Sequence, residues 1–293
     1  MGVNSLPMVG QRHKNNLVYV TRTHVFYRVC IYVRCMNLLL WLCITGDVES
    51  VTQLRDVVYV ICPRSSTILR FRIASRQRLA DIDVIGMMSP HDIAACENTS
   101  RLFIADWECV WRVSVEGADI RRWLPNAQTS SIKPWTLSVT STRLLVTSCD
   151  VKQLIQFDAV GNELNCVQLP CNMVPRHAVE SPAGTFIVGL TDTQLDHDLV
   201  VEFNTRGIAL RQFSGLLRWP DHIGVDSRGN VFVADTYNRH VLLLDRRLSL
   251  RRVIIDEHRL NHRPLRGLCY REQTGHLLVP LDNSIAVFSV CCH

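Results

Sequence analysis

Three histidines that follow prolines could supply metal or acid–base chemistry. His91 stands one residue after its proline, whereas His177 and His222 each stand two residues after theirs. Imidazole is a common zinc ligand, so three rings converging at one place would form a metal site. On a strand, however, a one-residue offset turns a side chain to the opposite face. We therefore predict no cofactor, and a zinc or calcium site formed by the three histidines is the alternative.

Motifs for nucleophilic catalysis are missing from the chain. It contains no G-x-S-x-G, no HExxH and no glycine-rich phosphate loop. Its twelve cysteines include no C-x-x-C pair, which excludes the zinc-ribbon and RING spacings. We predict no catalytic residue, and a metal-dependent lyase or hydrolase that uses the histidines is the alternative to a non-catalytic protein.

The composition indicates a globular protein of the reducing interior of the cell. Of 293 residues, 47% are hydrophobic and 20% are charged, and the net charge of +5 does not by itself indicate nucleic acid. We predict a cytoplasmic monomer that binds neither DNA nor membrane. A membrane-anchored or secreted protein is the alternative if the apolar stretch 25–45 is a signal anchor.

The elements that must position these residues repeat along the chain. A proline opens a short apolar strand at Pro90, Pro134, Pro175, Pro220 and Pro264, at steps of about 44 residues. Stepping back once more reaches Gly46, which makes six copies. Each copy contains up to four strand-like runs separated by turn residues, the spacing of β-propeller blades.

The last copy lacks a fourth strand, and the run Met36–Ile44 precedes the first copy in the slot that a fourth strand occupies elsewhere. We predict an all-β fold: a six-bladed β-propeller with four-stranded antiparallel blades, the last blade closed by the N-terminal strand. Residues 1–35 are predicted to be a poorly ordered extension, and residues 36–293 a single propeller.

The fifth copy resembles the NHL repeat. The matching positions are Asp226, Gly229, Asn230, Val233, Ala234, Asp235, Asn238, Arg239 and Val241. The resemblance implies a six-bladed binding platform. Many such propellers are target-recognising parts of tripartite-motif ubiquitin ligases, and some bind RNA. The stretch "PHDIA" from Pro90 is also similar to the zinc-binding histidine segments of peptidyl-hydroxyglycine amidating lyase propellers.

We therefore predict a non-catalytic protein-interaction scaffold of NHL type that recognises targets in a ubiquitin-ligase pathway. Loops on one propeller face would bind the protein partner, because loops on a rigid frame commonly carry recognition. RNA binding through an arginine-rich face is a further alternative, based on pairs such as Arg121-Arg122, Arg246-Arg247 and Arg251-Arg252.

Two sets of residues follow from this fold. The predicted binding residues at the channel mouth are His91, His177, His222, Trp135, Arg176, Asp221 and Arg266. The predicted structural turn residues are Asp106, Asp235, Asn238 and Arg239. A carboxylate at the end of a strand can accept backbone N–H groups and so hold a tight turn.

Overall fold

The computed structural model describes residues 36–107, 109–124, 132–140 and 143–290. The predicted extension 1–35 lies outside these ranges. The described secondary structure consists of antiparallel β-sheets, which form six blades. The predicted fold class, an all-β six-bladed propeller, is confirmed.

The strands are numbered in chain order and grouped by blade. Blade one contains β2 (Ser50–Leu54), β3 (Val57–Ile61), β4 (Thr67–Arg72), β5 (Gln77–Arg78) and β6 (Ile82–Asp83). Blade two contains β7 (Pro90–Cys96), β8 (Arg101–Asp106), β9 (Cys109–Ser114) and β10 (Ile120–Leu124). Blade three contains β11 (Thr136–Thr140), β12 (Arg143–Ser148), β13 (Gln153–Phe157) and β14 (Glu163–Gln168).

The second half of the ring continues the same order. Blade four contains β15 (Met173–Glu180), β16 (Phe186–Asp192), β17 (His197–Phe203) and β18 (Ala209–Phe213). Blade five contains β19 (Pro220–Val225), β20 (Val231–Asp235), β21 (His240–Leu244) and β22 (Leu250–Ile255). Blade six contains β23 (Cys269–Arg271), β24 (His276–Leu281), β25 (Ser284–Val290) and, from the start of the described chain, β1 (Met36–Cys43).

Blade six is completed by β1, as predicted. Its strand order is β1-β25-β24-β23, and β1 runs antiparallel to β25 with Trp41 opposite Ala286. A bulge at Leu39 separates two stretches of this pairing. In blade one, the fourth strand position is shared by β5 and β6, which pair with different parts of β4. Closure by β1 covers the edge of β25 that would otherwise be unpaired.

The innermost strands of the blades surround a central channel. These strands are β2, β7, β11, β15, β19 and β23, and each contacts the next, with β23 returning to β2. Blades pack face to face: Leu42 of β1, Val58 of β3 and Val287 of β25 share one apolar cluster between blades six and one. Because each sheet is covered on both faces, its second and third strands are buried along most of their length rather than at alternate residues, as in β8 and β20.

Turn chemistry explains where the strands end. In blade five, the Asp226 carboxylate accepts hydrogen bonds from the backbone N–H groups of Arg228 and Asn230 at 3.0 and 2.7 Å. Gly229 has a φ of 81°, a conformation that favours glycine. The "D-x-x-G-N" pattern therefore sets the tight turn between β19 and β20.

No helix among the described residues has the length and apolar character that crossing a membrane requires. Residues 36–43 of the apolar stretch considered as a signal anchor form the outermost strand of blade six.

Candidate functional site

A bulge recurs at the start of three inner strands. The pairing shifts between Pro90 and Asp92 in β7, between Pro175 and His177 in β15, and between Pro220 and His222 in β19. At such a bulge, two residues of one strand face a single residue of its partner. The second residue after the proline therefore turns towards the channel in each blade. That position holds Asp92, His177 and His222.

These three residues form a buried cluster on the propeller axis, called the central cluster below. Their candidate ligand atoms all lie within 4.8 Å of one another. The Asp92 Oδ1 atom lies 3.3 Å from Nε2 of His222, and the rings of His177 and His222 are 4.9 Å apart. Asp92 comes from blade two, His177 from blade four and His222 from blade five.

The Asp92 carboxylate is fully engaged. Oδ1 accepts hydrogen bonds from the Ser50 hydroxyl at 2.7 Å and from the Ile93 N–H at 2.8 Å, in addition to its contact with His222. Oδ2 accepts the N–H of Leu137 at 2.7 Å. Burial alone would raise the pKa of Asp92, but the hydrogen bond and charge of His222 outweigh it and hold the pKa at about 2.

The two histidines of the cluster have opposite protonation preferences. Burial of His177, reinforced by the neighbouring His222, lowers the pKa of His177 to about 3. Burial also opposes the charge on His222, but the hydrogen bond and charge of Asp92 raise the pKa of His222 above its usual value. The charges of Asp92 and His222 therefore stabilise each other, whereas the buried His177 favours the neutral imidazole.

The His177 ring is hydrogen-bonded to the backbone of two other blades. Nδ1 accepts the backbone N–H of Ile223 at 3.3 Å. The ring also hydrogen-bonds to the backbone of Leu137, and this bond alone would raise the pKa of His177. A neutral imidazole that accepts at Nδ1 carries its proton on Nε2. His177 is thus a bridge between blades three, four and five.

The donor set fits a metal ion poorly. Zinc bound by all three residues would need a free lone pair on His177, whose Nδ1 is already an acceptor, and would displace donors from Asp92. Calcium prefers oxygen ligands, and the cluster offers one carboxylate. The hydrogen bonds account for Asp92 and for Nδ1 of His177, whereas Nδ1 of His222 is buried without a hydrogen-bond partner among the described residues.

The central cluster also lacks a nucleophile and base in the order that acyl transfer requires. The Ser50 hydroxyl donates to Asp92 rather than to an imidazole. In a serine–histidine–aspartate triad, the histidine lies between the other two and removes the serine proton. The central cluster therefore does not form a serine–histidine–aspartate triad.

A cavity of about 880 Å³ opens above the cluster at one end of the ring. Of the seven predicted binding residues, six line it: His91, Trp135, Arg176, Asp221, His222 and Arg266. His177 lies deeper and lines a second space of about 150 Å³ further along the channel. His222 borders both spaces, so the central cluster divides the channel.

His91 stands apart from the other two histidines. Its ring packs 4.8 Å from the ring of Trp135 and 5.9 Å from that of Trp107. Burial lowers the pKa of His91, and its Nε2 atom has no hydrogen-bond partner among the described residues. The structure therefore brings together two of the three histidines considered as metal ligands, with Asp92 in the third position.

The end of the ring that bears the cavity also displays the exposed aromatic residues; we call it the aromatic end. It is formed by the loops between second and third strands and by the connections between blades. All exposed aromatic side chains of the described ranges belong to these loops: Trp107, Trp135, Trp219 and Tyr237. The same loops also expose the large aliphatic residues Ile85, Met88, Leu195 and Leu216. Among the described residues, the loops of the other end expose two, Val160 and Ile208.

The predicted turn residues link neighbouring loops of the aromatic end. The Asp106 carboxylate accepts the backbone N–H groups of Ser89 at 2.7 Å and Met88 at 3.1 Å, and the Trp111 indole N–H at 3.0 Å. Each carboxylate at this repeat position thus holds the connection that enters its own blade.

Blade five uses the same device. Asp235 accepts the N–H of Arg218 at 3.0 Å and the Asn238 side-chain amide at 2.8 Å. Asn238 also donates to the Leu216 carbonyl at 3.1 Å. Arg239 has a φ of 57° and donates to the carbonyl of His262 at 3.2 Å.

The arginine pairs occupy different places in the fold. Arg121 and Arg122 lie on β10, Arg251 and Arg252 lie on β22, and Arg246-Arg247 forms the turn before β22. The pairs belong to blades two and five, on opposite sides of the ring. They do not form one continuous basic face.

Comparison with known proteins supports the fold alone. The chain matches no protein-family model and no curated protein sequence. Among solved structures, it is similar to a gluconolactonase from Xanthomonas campestris, with a TM-score of 0.66, 12% identity and coverage of 87% of this chain and 89% of that one.

Two further propellers illustrate the range of functions on this fold. The WD40 β-propeller domain of Doa1 gives a TM-score of 0.60 and 15% identity, covering 88% of this chain and 98% of that one. The second is a catalytically inactive histidine-to-alanine variant of virginiamycin B lyase from Staphylococcus aureus, bound to quinupristin. It gives a TM-score of 0.59 and 13% identity, covering 84% of this chain and 82% of that one. The chain has the β-propeller fold that both binding domains and enzymes use.

Proposed function

We propose that this protein is a protein-interaction scaffold that binds its partner at the aromatic end of the ring. One observation carries this proposal: of the four exposed aromatic side chains of the described residues, Trp135, Trp219 and Tyr237 line one cavity, and Trp107 packs against His91 of its wall. Tyrosine and tryptophan are enriched among residues that dominate binding energy, and clustered exposed apolar groups mark interaction sites.

The chemistry of the cavity fits a peptide segment rather than a polyanion. Its wall contains three acidic residues and three arginines: Glu49, Asp221, Glu257, Arg176, Arg239 and Arg266. Arg176 bonds to Asp221 at 3.3 Å and lies 5.5 Å above the ring of Trp219. Mixed charge and aromatic surface suit a protein segment with an apolar anchor and polar flanks, whereas RNA would meet the carboxylates.

The partner would meet a rigid surface. Asp106 and Asp235 tie the loops of blades two and five to their strands through several hydrogen bonds each. Loops that are already ordered lose little conformational entropy on binding, which favours affinity.

The finer assignment is an NHL-type propeller that recognises targets in a ubiquitin-ligase pathway. The fifth repeat supports it by its residues from Asp226 to Val241. The alternatives are a metal-dependent lyase or hydrolase and an RNA-binding propeller. The hydrogen bonds of the central cluster argue against the first, and the mixed charge of the cavity argues against RNA at the aromatic end.

Site-specific photo-crosslinking tests the proposal. A photoreactive phenylalanine replaces Trp219 or Tyr237 at the aromatic end and, as the matched control, Leu210 or Leu250 on the outer strands; all four positions are exposed. We expect discrete protein adducts in cells from the first pair only. We also expect Trp135→Ala combined with Tyr237→Ala to abolish recovery of that adduct's partner, while Leu210→Ala combined with Leu250→Ala leaves recovery unchanged. Equal crosslinking at both pairs would refute a partner site at this end.

A further inference from the structure

A second concave surface lies at the junction of blades two and three, away from the aromatic end. This space of about 450 Å³ is lined by four arginines and three apolar residues: Arg101, Arg112, Arg121, Arg122, Trp123, Ala159 and Val160. Val160 belongs to the turn between β13 and β14, at the opposite end of the ring from the exposed aromatic residues. We call this space the arginine cleft.

Arg112 is the feature of the cleft that the protein alone does not explain. It is 6% exposed, and its Nε atom is buried without a hydrogen-bond partner among the described residues. It lies on β9 between Phe103 of β8 and Arg121 of β10. A buried guanidinium N–H without a hydrogen-bond partner is unfavourable, and a neighbouring arginine adds to the cost of burying the charge.

The carboxylate near the cleft compensates only part of this charge. Asp119 pairs with Arg101 at 3.7 Å and with Arg121 at 3.5 Å, and all three side chains are partly exposed. None of the described residues that line the cleft is acidic. The guanidinium of Arg122 lies 5.3 Å from the ring of Trp111, which packs in the apolar cluster between blades one and two. One shared carboxylate against the other three arginines of the cleft leaves a concentrated positive charge that an anion would neutralise.

The apolar side of the cleft is fixed in place. The Trp123 indole N–H donates to the Val160 carbonyl at 3.2 Å, across the boundary between the two blades. Gly161 approaches the same ring so closely that an added Cβ would lie 3.4 Å from the indole nitrogen. The turn of blade three is therefore attached to the outer strand of blade two beside the arginines.

We propose that the arginine cleft binds a phosphate monoester in its dianionic form. Guanidinium groups pair bidentately with phosphate oxygens, and several can share one dianion. The cleft is much larger than a bare phosphate, and its apolar side leaves room for the group to which the phosphate is attached. That group is either a small organic molecule or a phosphorylated side chain of a protein.

Isothermal titration calorimetry at constant ionic strength and pH 7.5, where a monoester is a dianion, tests this site. The probes are O-phosphoserine, a phosphoserine peptide and its unphosphorylated counterpart, sodium sulfate, and a single-stranded RNA oligonucleotide. We expect saturable binding of a phosphate monoester. Comparable affinity for O-phosphoserine and the peptide identifies a small-molecule ligand, whereas tighter binding of the peptide identifies a phosphorylated protein segment.

Two variants connect the binding to the cleft. Arg101→Gln combined with Arg121→Gln changes two partly exposed residues and should weaken binding about tenfold or more. Arg112→Met removes the buried guanidinium and should weaken binding by a similar factor. The matched control is Arg251→Gln combined with Arg252→Gln on β22, where Arg251 also pairs with an aspartate, at 3.4 Å; it should leave affinity unchanged.

Several outcomes would overturn the proposal. They are the absence of saturable monoester binding, equal weakening by the control pair, and sulfate binding as tight as that of the monoester. RNA binding that matches the phosphopeptide and shows the same dependence on Arg101 and Arg121 would instead indicate a general polyanion surface.

Discussion

Asp92 and His222 meet across the axis of the propeller, with Oδ1 and Nε2 3.3 Å apart, although they come from opposite blades, two and five. They are separated by 130 residues of sequence. Apolar clusters pack each blade against its neighbours, whereas this polar contact joins two opposite blades across the channel. It makes the centre of the ring a structural element in its own right.

The hydrogen bonds and contacts of this pair reach all the other blades. Ser50 of blade one and the Leu137 N–H of blade three donate to Asp92, and His177 of blade four stacks near His222. Gly267, which precedes β23 of blade six, packs against the His222 ring. A buried polar network in which most groups are satisfied can specify one arrangement of the parts it joins.

The first prediction concerns the charge on Asp92. We expect Asp92→Asn to lower the free energy of unfolding by roughly 3 kcal/mol, because it removes the buried carboxylate that pairs with His222 and places an amide N–H against donors. Urea denaturation of both proteins measures this. The control Asp47→Asn changes an exposed carboxylate and should change stability by less than about 0.5 kcal/mol. A small effect of Asp92→Asn, similar to that of the control, would show that the network does not hold the ring together.

The second prediction concerns the pH dependence that His177 imposes. Its pKa is about 3 in the folded protein, so only the unfolded chain gains a proton there as pH falls below about 6.5. The free energy of unfolding should therefore fall with pH by up to about 1.4 kcal/mol per unit for this residue. The contribution of Asp92, with a pKa of about 2, is lost only below about pH 4.

The remaining cluster residue acts in another range of pH. The pKa of His222 is raised in the folded protein. Its stabilising contribution to the free energy of unfolding is therefore complete below about pH 6.5 and is lost as the pH rises through the pKa of the folded protein. Between about pH 6 and 4, His177→Gln should therefore flatten the dependence on pH relative to the parent. The exposed control His197→Gln should leave the slope unchanged. Urea denaturation at several pH values measures these slopes. If the free energy of unfolding of His177→Gln and of the parent fell equally steeply with pH, the lowered pKa of His177 would be contradicted.

The fold could be predicted from the sequence because a pattern that is weak in one copy recurs from copy to copy. A proline-led strand every 44 residues or so is unremarkable once, but five occurrences at Pro90 to Pro264 define a ring. The missing fourth strand in the last copy predicted the position of Met36–Cys43. These inferences use only periodicity and the need to cover sheet edges.

The central cluster was only partly accessible for a local geometric reason. His91 was a candidate metal ligand because it is a histidine next to a repeat proline. The bulge after Pro90, however, places Asp92 and not His91 at the channel position. The signal that identifies Asp92 is its offset of two residues from the proline, which His177 and His222 share. The arginine cleft was not visible at all, because Arg112 and Arg121 are cross-strand neighbours whose register no pattern specifies.

The third prediction tests closure of the ring by β1. Leu42 is 1% exposed between blades six and one, whereas Leu39 of the same strand is 43% exposed at the bulge. We expect Leu42→Ala to cost about 2–5 kcal/mol through the cavity it leaves, and Leu39→Ala to cost less than about 0.5 kcal/mol. Thermal and urea denaturation compare the two. Equal, small effects would mean that β1 contributes little to blade six.

The last prediction concerns the close approach of blade six to the cluster. A Cβ at Gly267 would lie 2.5 Å from Nδ1 of His222, and that ring cannot move aside, since it is held between Asp92 and His177. Gly267→Ala should therefore destabilise the fold by about 1–3 kcal/mol through overpacking. In a His222→Ala background the obstacle is gone, so the same substitution should cost less than about 0.5 kcal/mol. Urea denaturation of the four proteins gives the coupling energy between the two sites. If the cost of Gly267→Ala is the same in both backgrounds, the strain comes from the backbone of Gly267 and not from its contact with His222.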